Sequence, residues 1–136
     1  MISNALIKNS SYYVYLTNLN FIKSEYLNKI IGLEFFKWIV KNTFFKYLNQ
    51  GIKFNRKIGL SELSAVRKEM TFAEINHLIG FCFVTIFSLV KVVNGYYLFG
   101  LTIMLVNIVM NLYPSLLQQK NKRRIDKFIN TVAGRA

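Results

Sequence analysis

His77 is the only histidine in the chain, and two of its six acidic residues, Glu69 and Glu74, stand just before it. At about 100° per residue, a helix would set Glu74 and His77 about 60° apart and Glu69 about 80° beyond His77, so all three share one broad face. A histidine with a carboxylate fixing its tautomer is a general base, suited to deprotonating a hydroxyl that attacks an acyl carbonyl. Two carboxylates and an imidazole are also a partial ligand set for a divalent cation. Three ligands from one helix, with none from a second, make a weak metal signal, and no metal is expected. A purely structural role competes with both: Glu74 and His77 pair with each other and with Lys122 or Arg124 at the edge of a bilayer, where ionisable groups cost far less than at its centre.

A second set of polar residues lies downstream. Asn107, Asn111, Ser115 and Gln118 follow at steps of four, four and three, one stripe along an otherwise apolar helix. The stripe leads on to Asn121 and Arg124. Read functionally, it is a groove for a polar head group, with Arg124 taking a phosphate or carboxylate in bidentate fashion. Read structurally, it is glue between helices of a homo- or hetero-oligomer, because asparagine within lipid needs a protein partner. Pro114 cannot donate to the carbonyl of Met110, and a kink there would open the stripe.

These groups need elements to hold them. Hydrophobic residues make up 53% of the 136-residue chain, only a little above the roughly 45–50% of soluble domains, so their distribution decides the class. From Ile75 to Val93 the strongly polar interruptions, Asn76, His77 and Lys91, lie near the ends. From Tyr96 to Leu117 the only ones are Asn107 and Asn111. As helices the two stretches are about 28 and 33 Å long, matching a hydrocarbon core of about 30 Å. A turn at Asn94-Gly95 makes them a hairpin that brings His77 and Arg124 to the same membrane surface.

Charge orients the hairpin. Eleven of the eighteen Lys and Arg residues precede Ile75 and six follow Leu117, leaving Lys91 beside the turn. The positive-inside rule then places both termini in the cytoplasm, the protein in the cytoplasmic (inner) membrane, and Lys91 snorkelling at the far interface. The formal charge of +12 reads as basic flanks drawn to anionic membrane lipid. A nucleic-acid partner is rejected, since it would leave two apolar spans without a purpose.

Around the hairpin, residues 1–64 form an aromatic and basic interfacial region and 65–136 the hairpin with a basic C-terminal helix. The first twenty residues lack the apolar core and small-residue cleavage site of a secretory signal, and Tyr12, Tyr13 and Tyr15 suit an interface. Leu27, Ile30, Ile31, Phe35, Trp38, Ile39, Phe45 and Leu48 recur at helical steps among lysines, predicting an amphipathic helix over Tyr26–Leu48 lying in the interface. Gly51 and Gly59 break the segment that follows, and a helix capped by Ser61 or Ser64 runs from about Ala65 into the first span. After the second span, Ile125, Phe128, Ile129 and Val132 mark a basic helix on the inner surface. Cys82, the single cysteine, reads as a buried packing residue. The fold class is thus an all-α integral membrane protein: a two-span helical hairpin with N-terminal interfacial amphipathic helices and a basic C-terminal interfacial helix. No Gly-rich phosphate loop, serine-nucleophile elbow or His-rich metal motif is present.

The run Glu69-Met70-Thr71-Phe72-Ala73-Glu74-Ile75-Asn76-His77 resembles the Glu, Ala-Glu, His arrangement of glycosyl-4,4'-diaponeurosporenoate acyltransferases, which acylate the sugar of staphyloxanthin-type carotenoids. Asn111-Leu112-Tyr113-Pro114, then Gln118, Asn121 and Arg124, resemble that family's second motif, and the likeness covers about 67–128. Leu78 stands where the family resembles itself in having Trp, and Lys122-Arg123 replaces an Arg-Pro. The resemblance implies a small membrane acyltransferase acting on a glycosylated amphiphile, with His77 as base, Glu74 orienting it, Glu69 nearby, and Asn107, Asn111, Gln118, Asn121 and Arg124 binding substrate. The implied donor is an acyl group entering from the bilayer, such as an acyl-CoA, with no other cofactor. The alternative is a non-catalytic subunit of a larger membrane complex. A two-span hairpin encloses little volume, so either reading calls for a homo-oligomer or other membrane subunits.

Overall fold

A computed structural model describes residues 15–42 and 59–133, which are mostly helical, with no strand among the described residues. Two short helices come first, α1 (Glu25–Ile30) and α2 (Leu33–Asn42). The apolar periodicity reads as one helix here, but Gly32 adopts φ +71°, a left-handed conformation open to glycine at little steric cost. That break turns Leu33 inward, where it is fully buried against Leu116 and Leu117, with Phe36 and Tyr113 at the rim. The opposite face of α2 carries Phe35 and Trp38, stacked with ring centroids 6.1 Å apart and both exposed. Phe45 and Leu48 lie outside the described residues.

The long helix α3 (Leu60–Val93) starts five residues before Ala65. Its cap is Gly59, extended at φ −71° and ψ 159° and without a side-chain cap bond, rather than Ser61 or Ser64. Gly59 contributes its carbonyl to the Leu63 amide. The chain turns at Asn94-Gly95, where Gly95 takes φ +85° and the Asn94 side chain donates to the Val90 carbonyl at 2.8 Å. Beside this turn Lys91 lies over the rings of Phe87, Tyr96 and Phe99 at 5.4, 5.7 and 5.9 Å, a cation held among aromatic faces at the far end of the hairpin.

The return path is α4 (Tyr97–Asn107), a π turn (Ile108–Leu112) and α5 (Tyr113–Ala133). Pro114 has no amide to offer Met110, and the helix answers by rewinding: the Tyr113 amide reaches back five residues to the Ile108 carbonyl. The expected local disturbance is therefore a π turn just before the proline. The basic C-terminal segment continues this helix without a break; Ile125 and Ile129 pack on Leu63, Val66 and Met70 of α3, and Phe128 is exposed. The hairpin thus extends beyond its apolar part as a two-helix stalk.

Both arms are long and apolar enough to cross a membrane. In their most apolar stretches only 11% and 28% of residues are buried, whereas the core helix of a soluble protein would be mostly covered. Val93 and Leu98 are more than four-fifths exposed, as lipid-facing side chains are. The hairpin is an integral membrane element. Cys82, expected in a packed interior, instead faces outward and is exposed. Where the arms meet they meet closely: the buried Ser88 hydroxyl donates to the Gly100 carbonyl at 2.7 Å, and a Cβ on Gly100 would sit 2.6 Å from Val92 Cγ2.

Candidate functional site

The polar residues gather at the basic end of the hairpin. Glu74 of α3 is completely buried, and the Lys122 ammonium of α5, itself 3% exposed, closes on its carboxylate. Two charges removed from water lose several kcal/mol of solvation each and are tolerated only with a counter-charge and further polar partners. Lys122 has both, because its ammonium also donates to the Thr17 carbonyl at 3.0 Å. Gln119, one turn before, accepts from the Phe21 amide at 2.9 Å, while its own Nε2 is buried without a partner. The core of the site is a buried ion pair joining two helices and the N-terminal segment.

Toward the end of the stalk the pattern repeats. Arg67 grips Asp126 with two nitrogens at 2.5 and 3.2 Å and reaches Asn18 at 2.9 Å. Arg123 donates to the Asn20 side chain and the Ile22 carbonyl. Residues 17–22 therefore form a strap tied down by Arg67, Gln119, Lys122 and Arg123. Past the strap, the Tyr113 hydroxyl donates to the Ile31 carbonyl at 2.5 Å. Lys120 bridges Glu25 and Glu34 at 3.1 and 2.5 Å, and its hydrogen bond holds each carboxyl below the ordinary carboxylate range. The N-terminal helices are thereby docked on α5 by charge on one side and by Leu33 on the other.

The three residues of the histidine face separate. Glu74 faces α5, His77 lies half-buried one turn further along α3, and Glu69 is exposed. No hydrogen bond joins Glu74 to His77 among the described residues, and the three do not gather as a metal-ligand cluster. On α5, Arg124 is exposed and Asn121 half-buried, so the cation that meets Glu74 is Lys122. Uniform helical stepping already carries the polar stripe from Gln118 to Lys122, four residues on, and puts Arg124 about 120° away. Gln119 continues the fourfold steps from Asn111 and Ser115. The strap carries no comparable sequence signal.

The stripe itself faces α3. The Asn107 amide donates to the Phe81 carbonyl at 3.0 Å and to Thr85 Oγ1 at 3.1 Å, and accepts from Asn111 at 2.8 Å. Asn111 in turn lies against Gly80, whose missing Cβ would come within 3.1 Å of Asn111 Oδ1. These asparagines satisfy one another and α3 within a single chain. Further along, Ser115 Oγ and Gln118 Oε1 are buried without a hydrogen-bond partner. An open apolar hollow of about 270 Å³, lined by Ile86, Leu89, Val90, Val93 and Asn94, lies at the other, turn end of the hairpin.

Residues 9–131 match a protein-family model described as glycosyl-4,4'-diaponeurosporenoate acyltransferase. Neither the curated proteins nor the solved structures contain a match to this chain.

Proposed function

Since the chain belongs to the glycosyl-4,4'-diaponeurosporenoate acyltransferase family, we propose that it transfers a fatty acyl group to a hydroxyl of a membrane-embedded glycosylated amphiphile, with His77 as general base. The observation that carries this reading is the position of His77. It is half-buried, unengaged by any carboxylate among the described residues, and one turn from the buried Glu74–Lys122 pair. An imidazole so placed has a lone pair to take the acceptor's proton and can return it to the departing group. Glu74, tied to Lys122, acts as a positioning residue that fixes the register of α3 against α5 beneath the imidazole. Gln118 and the half-buried Asn121 offer amides to the sugar or to the carbonyl oxygen. Arg124, exposed at the same end, is free to take the phosphate or carboxylate of an acyl donor.

In this reading both termini and the basic stalk are cytoplasmic, as the distribution of Lys and Arg implies. The acyl chain lies alongside the exposed apolar faces of the hairpin, and a second copy or another membrane subunit completes the walls of the pocket. The test is acyl transfer by purified protein in nanodiscs, with dodecanoyl-CoA as donor and an alkyl glucoside as acceptor. His77→Ala should lower the rate by about 10²–10⁴-fold, the usual worth of a general base, with the helical spectrum unchanged. An unaltered rate in that variant would remove His77 from the chemistry. A non-catalytic packing role is favoured by one observation, the engagement of Glu74 by Lys122, and would give no turnover with any donor.

A further inference from the structure

Three side chains with hydroxyls are buried among the described residues, and two of them are satisfied. Thr71 donates to the carbonyl four residues before it, at Arg67, at 3.0 Å, and Ser88 donates to Gly100 at 2.7 Å. Exposed Thr102 and Thr131 also use the carbonyl four residues back, the habitual bond of a hydroxyl on a helix. Ser115 is the exception: it is 0% exposed and its Oγ has no partner. An unmade hydrogen bond of this kind costs about 1–3 kcal/mol and calls for a cause. The carbonyl four residues back belongs to Asn111, inside the π turn, where the wider winding takes it out of its regular position. Pro114 and the π turn together leave this serine's hydroxyl uncommitted, and such π insertions recur at functional sites.

Register sets His77 level with it. On α5, Asn111, Ser115 and Gln119 form one row at steps of four, and on α3, Glu74, His77 and Gly80 form one row at steps of three. The helices meet on either side of the middle of these rows: Gly80 lies against Asn111, and Glu74 pairs with Lys122 of α5. This register sets His77 and Ser115 at the same level of the helix pair, between those two contacts.

We propose that Ser115 is the acyl-accepting nucleophile of this site and that His77 activates it, an inference that rests on the acyl-transfer reading. Ser115 Oγ forms a bond to the carbonyl carbon of an acyl thioester while His77 takes the hydroxyl proton. The carbon–sulfur bond breaks, and His77 passes that proton to the departing thiolate. The acceptor's hydroxyl then attacks the acyl-serine, His77 takes its proton, and the proton returns to Ser115 Oγ as the ester bond to it breaks. Ser115 is 0% exposed, so this chemistry requires α3 and α5 to part at the π turn for the acyl donor to reach its hydroxyl.

The experiment uses the full chain in nanodiscs with dodecanoyl-CoA and octyl glucoside, quenched in acid during turnover. Product is quantified, and the protein is digested and mapped by mass spectrometry. The expected result is a dodecanoyl ester on Ser115 in the wild-type protein and in Cys82→Ala. It should accumulate when octyl glucoside is left out and form more slowly in His77→Gln. Ser115→Ala should lose both ester and product, by at least about a hundredfold. Product from wild-type protein with no ester on Ser115, or product from Ser115→Ala at the wild-type rate, would overturn the nucleophile and leave the acyl-transfer reading standing. No product from wild-type protein overturns both. Because the ester is read directly on the wild-type protein, the outcome does not depend on whether the variant folds.

Discussion

The Lys122 ammonium closes on the Glu74 carboxylate inside the protein, with both side chains almost wholly removed from solvent. Removing one member leaves the other charge buried and unpaired, which costs about 3–5 kcal/mol, whereas replacing both with apolar side chains of similar volume is often neutral. Glu74→Leu and Lys122→Met are each expected to lower the thermal midpoint in detergent sharply, and the double variant to recover most of the loss. Circular dichroism melts of the four proteins measure this. Additive losses would mean that the two side chains are not a pair.

The stripe asparagines form their hydrogen bonds within one chain. Asn107→Leu removes donations to Phe81 and Thr85 and the acceptor for Asn111, bonds worth about 0.6–1.7 kcal/mol each between membrane helices. The expected outcome is a less stable hairpin with an unchanged oligomeric state. Steric trapping would report the first and native mass spectrometry the second. A loss of oligomer without a loss of hairpin stability would place the stripe at an interface between chains.

Much of the architecture was legible because it is local. Two apolar runs of spanning length, a glycine turn and lysines at both ends need no tertiary information, and the stripe from Asn107 to Gln118 follows from helical stepping alone. The break at Gly32 was not legible, since a glycine within a periodic run fits a helix until a neighbour such as the Leu116-Leu117 pair draws Leu33 inward. The strap across Arg67, Lys122 and Arg123 was hidden for a related reason: it is held through backbone groups and short amides, Thr17, Asn18, Asn20, Phe21 and Ile22, which leave no pattern. Lys122 was readable as the fourth residue after Gln118. The freedom of Ser115 was not, because it depends on how the helix rewinds around Pro114.

Gly100 allows the arms their closest approach. A methyl group there would stand 2.6 Å from Val92 Cγ2 and 3.0 Å from the Ser88 carbonyl, and the latter is backbone that cannot swing away. Gly100→Ala should cost about 1–3 kcal/mol, the usual range for overpacking, and should weaken the Ser88 bond to the Gly100 carbonyl. Ser88→Ala by itself should cost less, as it removes one hydrogen bond without forcing the helices apart. Comparing the unfolding of both variants in the same detergent tests the order.

The docking of α1 and α2 on α5 should depend on pH in the acid range. Lys120 holds Glu25 and Glu34 below the ordinary carboxylate range, chiefly through its hydrogen bond to each. A carboxyl with a depressed folded-state pKa contributes stability that is fully present above its unfolded value and is lost as pH falls through the folded value. Both carboxyls are largely solvent-exposed, so the contribution is small and salt-sensitive. Trp38, the single tryptophan, lies on α2, so its fluorescence follows the docking directly. In wild-type protein the emission should change only below the ordinary carboxylate range. In Lys120→Met the partner that depresses the two values is gone, so the docking loses its dependence on acid while Leu33 still packs on Leu116 and Leu117. An acid transition that survives unchanged in Lys120→Met would assign it to other carboxyls and leave Lys120 without a role in the docking.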